Sequence, residues 1–315
     1  MGGFRAKSIL KNMIPIGILS IYRRFRDDQK RSKISKRRLI SVGELKEDLR
    51  YAGISRGDTV MVHSSLSRLG YIDGGAKTVV DILLQAIGEE GTLLMPSFFA
   101  PGPLYEKPRG EIVVDLRYEP SSNGAITEEF RKRTGVLRSS HPFSPIIAWG
   151  KRAKEMIQDH AQQEKICHQD SPLARLVSNH AKILGLGSAI GNLSMYHVLE
   201  DTWSPFPFDP YLPAQELRYI DANGKDIRRP VRRLNPIHAP SRIDQESSTW
   251  LRSKFESLYQ KHAIISHFKF GDSQSWQISA DKLLPFLIFL AQNGLTIYTR
   301  PSEYSLHLDH LKFNA

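Results

Sequence analysis

Two stretches, Thr59-Val60-Met61-Val62-His63-Ser64-Ser65 and Gly91-Thr92-Leu93-Leu94-Met95-Pro96-Ser97-Phe98, decide the fold class of this 315-residue chain. Each is a short apolar run entered from a glycine turn and left through small polar residues. Such a run reads as a strand buried on both faces. Between them, Gly74-Gly75 leads into Thr78 to Ile87, whose apolar residues recur at helical spacing. Strand, helix, strand is the unit of a layered α/β sheet.

The same grammar extends outward. Ser41 with Glu44 three residues on is a capping box for a helix reaching about Gly53. Asn123 is placed to cap Ala125 to Arg133, and Ser171-Pro172 to open Leu173 to Asn179. Ile146 to Trp149 and Lys182 to Gly187 read as further strands, and Ser279 to Asn293 as a last apolar helix. Residues 203–240 differ: they are rich in proline and arginine. Asn223-Gly224 there separates Leu217–Ile220 from Ile227 onward, a β-hairpin signal. This is expected to be a small insertion beside the main sheet. No internal repeat is apparent.

Charge divides the chain. Its net charge is +11, but residues 1–40 hold twelve Lys/Arg against Asp27 and Asp28. The body from 41 to 315 is therefore nearly neutral and offers no basic footprint for nucleic acid. The leader joins its cations to Ile14, Ile16, Leu19 and Ile21. That mixture suits peripheral contact with an anionic membrane or an acidic partner, or packing against its own domain. No run approaches the ~18 apolar residues of a membrane span. One cysteine, Cys167, excludes an internal disulfide framework and fits a cytoplasmic setting.

The polar residues of interest follow strand ends: Ser64-Ser65, Pro96-Ser97-Phe98 and Gly187-Ser188. In open α/β sheets ligands bind at that edge. Just beyond, Ser194, His197 and Glu200 are spaced by three, so a helix puts a hydroxyl, a base and a carboxylate on one face. Those are the parts of a group-transfer site; a solvated ion pair has the same spacing. Gly185 to Gly191 is a loose GxGxxxG nucleotide fingerprint, and its serine lacks the spacing of a hydrolase elbow. The neighbours Cys167-His168 read as structural.

Several spaced motifs over about residues 42–203 resemble the aminoglycoside 3-N-acetyltransferases. They are Val62-His63-Ser64-Ser65-Leu66 with Gly74-Gly75, the Gly91–Phe98 stretch, Pro120-Ser121-Ser122-Asn123-Gly124, Arg138-Ser139-Ser140-His141-Pro142-Phe143-Ser144, Asp170 to Leu176, and Leu184-Gly185 through His197-Val198-Leu199-Glu200. The resemblance implies an acyl-CoA-dependent N-acyltransferase domain over 41–315, a three-layer α/β/α body with a central mixed sheet, and no metal. It implies His197 as general base toward the acceptor amine. Glu200 matches the family carboxylate, with Asp244 a competing partner. Ser194 stands where the family usually has threonine and would donate to the oxyanion. The turns at His63-Ser64-Ser65 and Pro96-Ser97-Phe98 would line the acetyl-CoA channel. His141 either lines the site or is structural.

The acceptor follows from charge. Aminoglycosides are polycations and call for an acidic site. The insertion instead carries Arg218, Lys225, Arg228, Arg229, Arg232 and Arg233. Arg232 and Arg233 foremost would meet an anionic acceptor, such as a nucleotide-linked amino sugar for surface polysaccharide; a solvated hairpin face is the alternative. Antibiotic acetylation is the competing function.

Overall fold

The computed structural model describes residues 38–99, 111–305, 308 and 310–313; the leader, except for its last three residues, lies outside them. Chain order runs β1 (Leu39–Ile40), α1 (Val42–Tyr51), β2 (Thr59–Ser64), β3 (Tyr71–Ile72), α2 (Gly75–Ile87), β4 (Thr92–Pro96), β5 (Ile112–Asp115), α3 (Ala125–Arg131), β6 (Leu137–Arg138) and β7 (Ile146–Gly150). It continues through α4 (Ala153–Ile157), α5 (Pro172–Ser178), β8 (Lys182–Leu186), α6 (Tyr196–Thr202), β9 (Gln215–Ile220), β10 (Asp226–Val231), α7 (Thr249–Lys261), β11 (Ile265–Phe270), β12 (Ser273–Ser279) and α8 (Ala280–Gln292).

Seven strands form the main sheet in the order β11-β12-β8-β2-β4-β7-β6. The central three, β8, β2 and β4, are parallel, and antiparallel pairs flank them on both sides. Successive side chains alternate between faces. Val60, Val62, Leu93, Met95, Leu184 and Leu186 pack into one core with Leu45 and Leu49 of α1, Val79 and Leu83 of α2 and Phe130 of α3. Met61, Leu94, Ile146, Ala148 and Ile183 point the other way, into a core with α4 to α8. The mixed sheet is thus the middle of three layers.

Local signals explain the ends of elements. Ser41 Oγ accepts from the Glu44 N–H at 3.2 Å, and the Glu44 carboxylate accepts from the Ser41 N–H at 2.9 Å. Ser171 caps α5 by accepting from the Ala174 N–H. Asn123 does not cap α3: Gly124 holds that position, and Asn123 Oδ1 accepts from the Phe98 N–H at 2.6 Å, tying the end of β4 to the start of α3. The fold also begins before residue 41. Ile40 is 1% exposed, and β1 pairs with β3.

The insertion is more than a hairpin. β9 and β10 pair antiparallel as expected, but β5 adds beside β9 in parallel. This three-stranded sheet has its own core of Phe99, Val113, Val114, Leu116, Leu217, Tyr219 and Val231. The buried carboxylate of Asp201 moors its base, accepting from the Cys167 N–H and the Tyr211 hydroxyl at 2.8 Å each.

Candidate active site

Parallel strands end on one edge of a sheet, so β2, β4 and β8 deliver their last residues to the same place. A cavity of about 470 Å3 opens there. His63, Ser64 and Ser65 from β2 and its exit, Pro96 and Phe98 from β4, and Ser188 beyond β8 form one wall. Ser194, His197, Arg242 and Asp244 line the cavity as well.

Two close approaches shape the wall. Trp276 of β12 lies over Gly185 of β8; a Cβ at Gly185 would come within 1.9 Å of the indole. The indole N–H donates to the Ser188 carbonyl at 2.7 Å, and the ring stacks on His63 with centroids 6.4 Å apart. A Cβ at Gly191 would press on the Ile243 carbonyl at 2.8 Å. These glycines serve packing. A three-residue 3-10 helix, Ile190–Asn192, which includes Gly191, stands where a dinucleotide site needs a long helix.

α6 carries the candidate base and its carboxylate. His197 and Glu200 stand one turn apart, and Nδ1 of the ring lies 2.8 Å from Glu200 Oε2. Nδ1 donates that bond, so the Nε2 lone pair is left free. The His197 side chain is 22% exposed and reaches the cavity, while the Glu200 side chain is wholly buried. Glu200 Oε1 accepts from the Tyr298 hydroxyl at 2.5 Å. Burial opposes the charged imidazolium, but the Glu200 charge and hydrogen bond outweigh it and hold His197 above its ordinary value of 6.5. Burial and the Glu200 charge push the Tyr298 phenol far up, so it stays a donor.

Asp244 lines the same cavity with a different partner. Arg242 grips it through two bonds of 2.7 Å. Burial works against the Asp244 carboxylate, yet the Arg242 hydrogen bond and charge hold it below its ordinary range. Glu200 therefore holds the histidine ring, and Asp244 is the accessible carboxylate of the cavity among the described residues. Ser194 lines the cavity one turn before His197 and accepts the His197 N–H through its carbonyl at 3.2 Å.

The model of the aminoglycoside 3-N-acetyltransferase family matches residues 61–290, which include every one of these side chains except Tyr298. The chain belongs to that family. It is 34% identical over 178 residues to aminoglycoside N(3)-acetyltransferase VIII of Streptomyces fradiae, covering 51% of this chain and 60% of that protein. It is also 34% identical over 170 residues to a prophage-derived aminoglycoside N(3')-acetyltransferase-like protein of Bacillus subtilis, covering 49% of this chain and 62% of that one. The aligned stretch thus spans about three fifths of these curated relatives' length. Solved structures of family members share the fold. One, described as AAC-IIIb with CoASH, superposes with a TM-score of 0.70 at 21% identity, covering 84% of this chain and 100% of its own. Aminoglycoside acetyltransferase AAC(3)-Xa superposes with a TM-score of 0.71 at 24% identity, covering 87% and 99%.

Not every residue expected at the acetyltransferase-like site is in it. Ser97 is wholly buried and outside the cavity lining, because alternation along the end of β4 turns Pro96 and Phe98 inward and Ser97 away. His141 is buried outside the cavity, accepting the Phe143 and Ser144 N–H groups at Nδ1 and stacking on His160 at 4.9 Å. Arg232 is a strut of the insertion: it pairs with Asp209 at 2.5 Å, donates to the Leu212 carbonyl and covers Tyr211. Arg233 is likewise outside the lining. Conversely, Arg242, Asn123 and Tyr298 join the site without a role foreseen from sequence. Arg242 stands two residues before Asp244, a readable pairing, whereas Tyr298 is 98 residues from Glu200.

Proposed function

We propose that this chain is an acyl-CoA-dependent N-acyltransferase that moves an acetyl or other short acyl group to an amine of an amino sugar. The observation that carries the reading is the Glu200-held ring of His197 facing the cavity at the carboxyl ends of β2, β4 and β8. Nε2 of His197 takes a proton from the acceptor amine. The amine nitrogen attacks the thioester carbonyl carbon, and the Ser194 hydroxyl donates to the oxyanion. The carbon–sulfur bond breaks, and the imidazolium returns its proton to the leaving thiolate. The products are the amide and CoA thiol. His63, Ser64, Ser65, Pro96 and Phe98 wall the donor side. His63 Nε2 and Ser64 Oγ have no protein partner there, which suits the amides and phosphates of the donor. The solved relative described with CoASH supports that donor.

The acceptor we infer is an amino sugar of surface-glycan synthesis. Asp244 is the carboxylate among the described lining residues, and Arg242 offsets it. That balance suits a neutral or anionic sugar better than a polycation. The relatives' names and structures described with sisomicin or gentamicin support aminoglycosides as the second reading. The cationic leader supports peripheral contact with an anionic membrane, read by salt-sensitive flotation with vesicles. The acceptor is tested by measuring thiol release from acetyl-CoA with nucleotide-linked amino sugars and with aminoglycosides. Faster turnover of the former is expected. Turnover of aminoglycosides alone would establish the second reading.

A further inference from the structure

A second cavity, of about 690 Å3, lies where the insertion sheet meets the edge of the body. β6, α4 and the loop after it form one side, and the Asp221–Lys225 turn between β9 and β10 forms the other. Its charge is unlike that of the catalytic cavity. Arg117, Arg131, Arg138, Lys154, Lys225 and Arg229 line it, against two carboxylates, Asp159 and Asp221.

The balance sharpens when partners are assigned. Arg117 and Arg131 are neutralised by Asp115 and Glu128, at 2.7 and 2.8 Å. Asp221 uses Oδ1 on the backbone N–H groups of Asn223 and Lys225, and Asp159 faces Arg175 at 3.7 Å. Arg138 donates to the carbonyls of Leu116, Glu119 and Ser97, and burial and the Arg131 charge push its guanidinium down to about 10. Arg229 donates to the Gln162 carbonyl, and its buried Nε has no partner. Four cations, from both the body and the hairpin, thus converge on a concave space with no carboxylate paired to them among the described residues. A concave surface focuses such a field, and guanidinium and ammonium groups match phosphate oxygens.

We propose that this cavity holds the diphosphate of a nucleoside diphosphate, the anionic end of a nucleotide-linked acceptor. The proposal rests on the amino-sugar reading above. The two cavities flank α3, with Gly124 and Thr127 lining the catalytic one and Arg131 the other. The proposal places the sugar amine of such a ligand at His197 and its phosphates between Lys154, Lys225 and Arg229.

Calorimetric titration of the full chain with uridine diphosphate, inorganic pyrophosphate and CoA tests this without requiring turnover. The nucleotide and pyrophosphate should bind at low salt. Lys225→Ser with Arg229→Ser should weaken both about 10- to 100-fold and leave the CoA affinity unchanged. Lys154→Ser, on the body and exposed, should weaken them in the same direction if the hairpin pair fails to fold. Absence of nucleotide binding, binding indifferent to these changes, or a parallel loss of CoA affinity would overturn the site. Absence of thiol release with every amine would instead overturn the transferase reading, because the titration does not depend on it.

Discussion

His197 and the group formed by His141, His160 and His168 differ in what their rings touch. His197 has a buried carboxylate on one nitrogen and lines the cavity at the strand ends. His160 lies between the Ser139 hydroxyl at 2.8 Å and the Ile166 carbonyl at 3.0 Å, and His141 and His168 accept backbone N–H groups. Burial alone therefore does not mark a functional histidine. Without a carboxylate, burial pushes His160 down to about 3 and His141 well below its ordinary range, and these rings stay neutral. With Glu200, the same burial ends in a raised value.

The two settings have opposite linkage. The raised pKa of His197 contributes stability below about pH 6.5, lost as pH rises through the folded value. The depressed pKa values of His141 and His160 contribute stability above about pH 6.5, lost as pH falls toward their folded values.

The largest effect that could break the comparison is at the base. His197→Ala should lower acyl transfer by about 10²–10⁴-fold in a chain that still folds. Near-native turnover would remove the ring from the mechanism. Glu200→Gln takes away a charge-assisted hydrogen bond of about 1.5–3 kcal/mol, so kcat should fall by about 10–10²-fold. An Asp244→Asn variant that falls further would exchange the two carboxylates' roles. Tyr298→Phe removes a neutral donor to Glu200, about 1 kcal/mol, and should cost kcat roughly fivefold with KM steady. A rise in KM alone would make Tyr298 part of the acceptor wall. Smallest is the effect on activity at the other group. His141→Gln should leave turnover within about twofold and flatten the fall of the thermal midpoint below pH 6.5. A loss of activity comparable with that of His197→Ala would erase the distinction between the two groups.

Much of the fold was legible because its signals are local. The Ser41–Glu44 box, the apolar runs of β2, β4 and β8, and the Asn223-Gly224 turn each lie within a few residues. What was not read divides in two. Gly271-Asp272 between β11 and β12 is a two-residue hairpin turn, and Leu251, Phe255, Leu258 and Tyr259 recur at helical spacing in α7. Those signals are present in the sequence. β5 is four residues long and gains its identity by pairing with β9, which no short window contains. The site divides similarly. The spacing of three brought His197 and Glu200 together, while Tyr298 arrives through tertiary packing. Ser97 failed because a strand exit does not say which of its residues turns inward.

The pH dependence of kcat/KM for acyl transfer, compared in the native chain and Glu200→Gln, tests the central claim most directly. The account predicts an acid limb above pH 6.5 in the native chain, where Glu200 holds the imidazolium. In the variant that limb should move to lower pH, because burial persists without the counter-charge. An acid limb in the same place in both proteins would contradict the account.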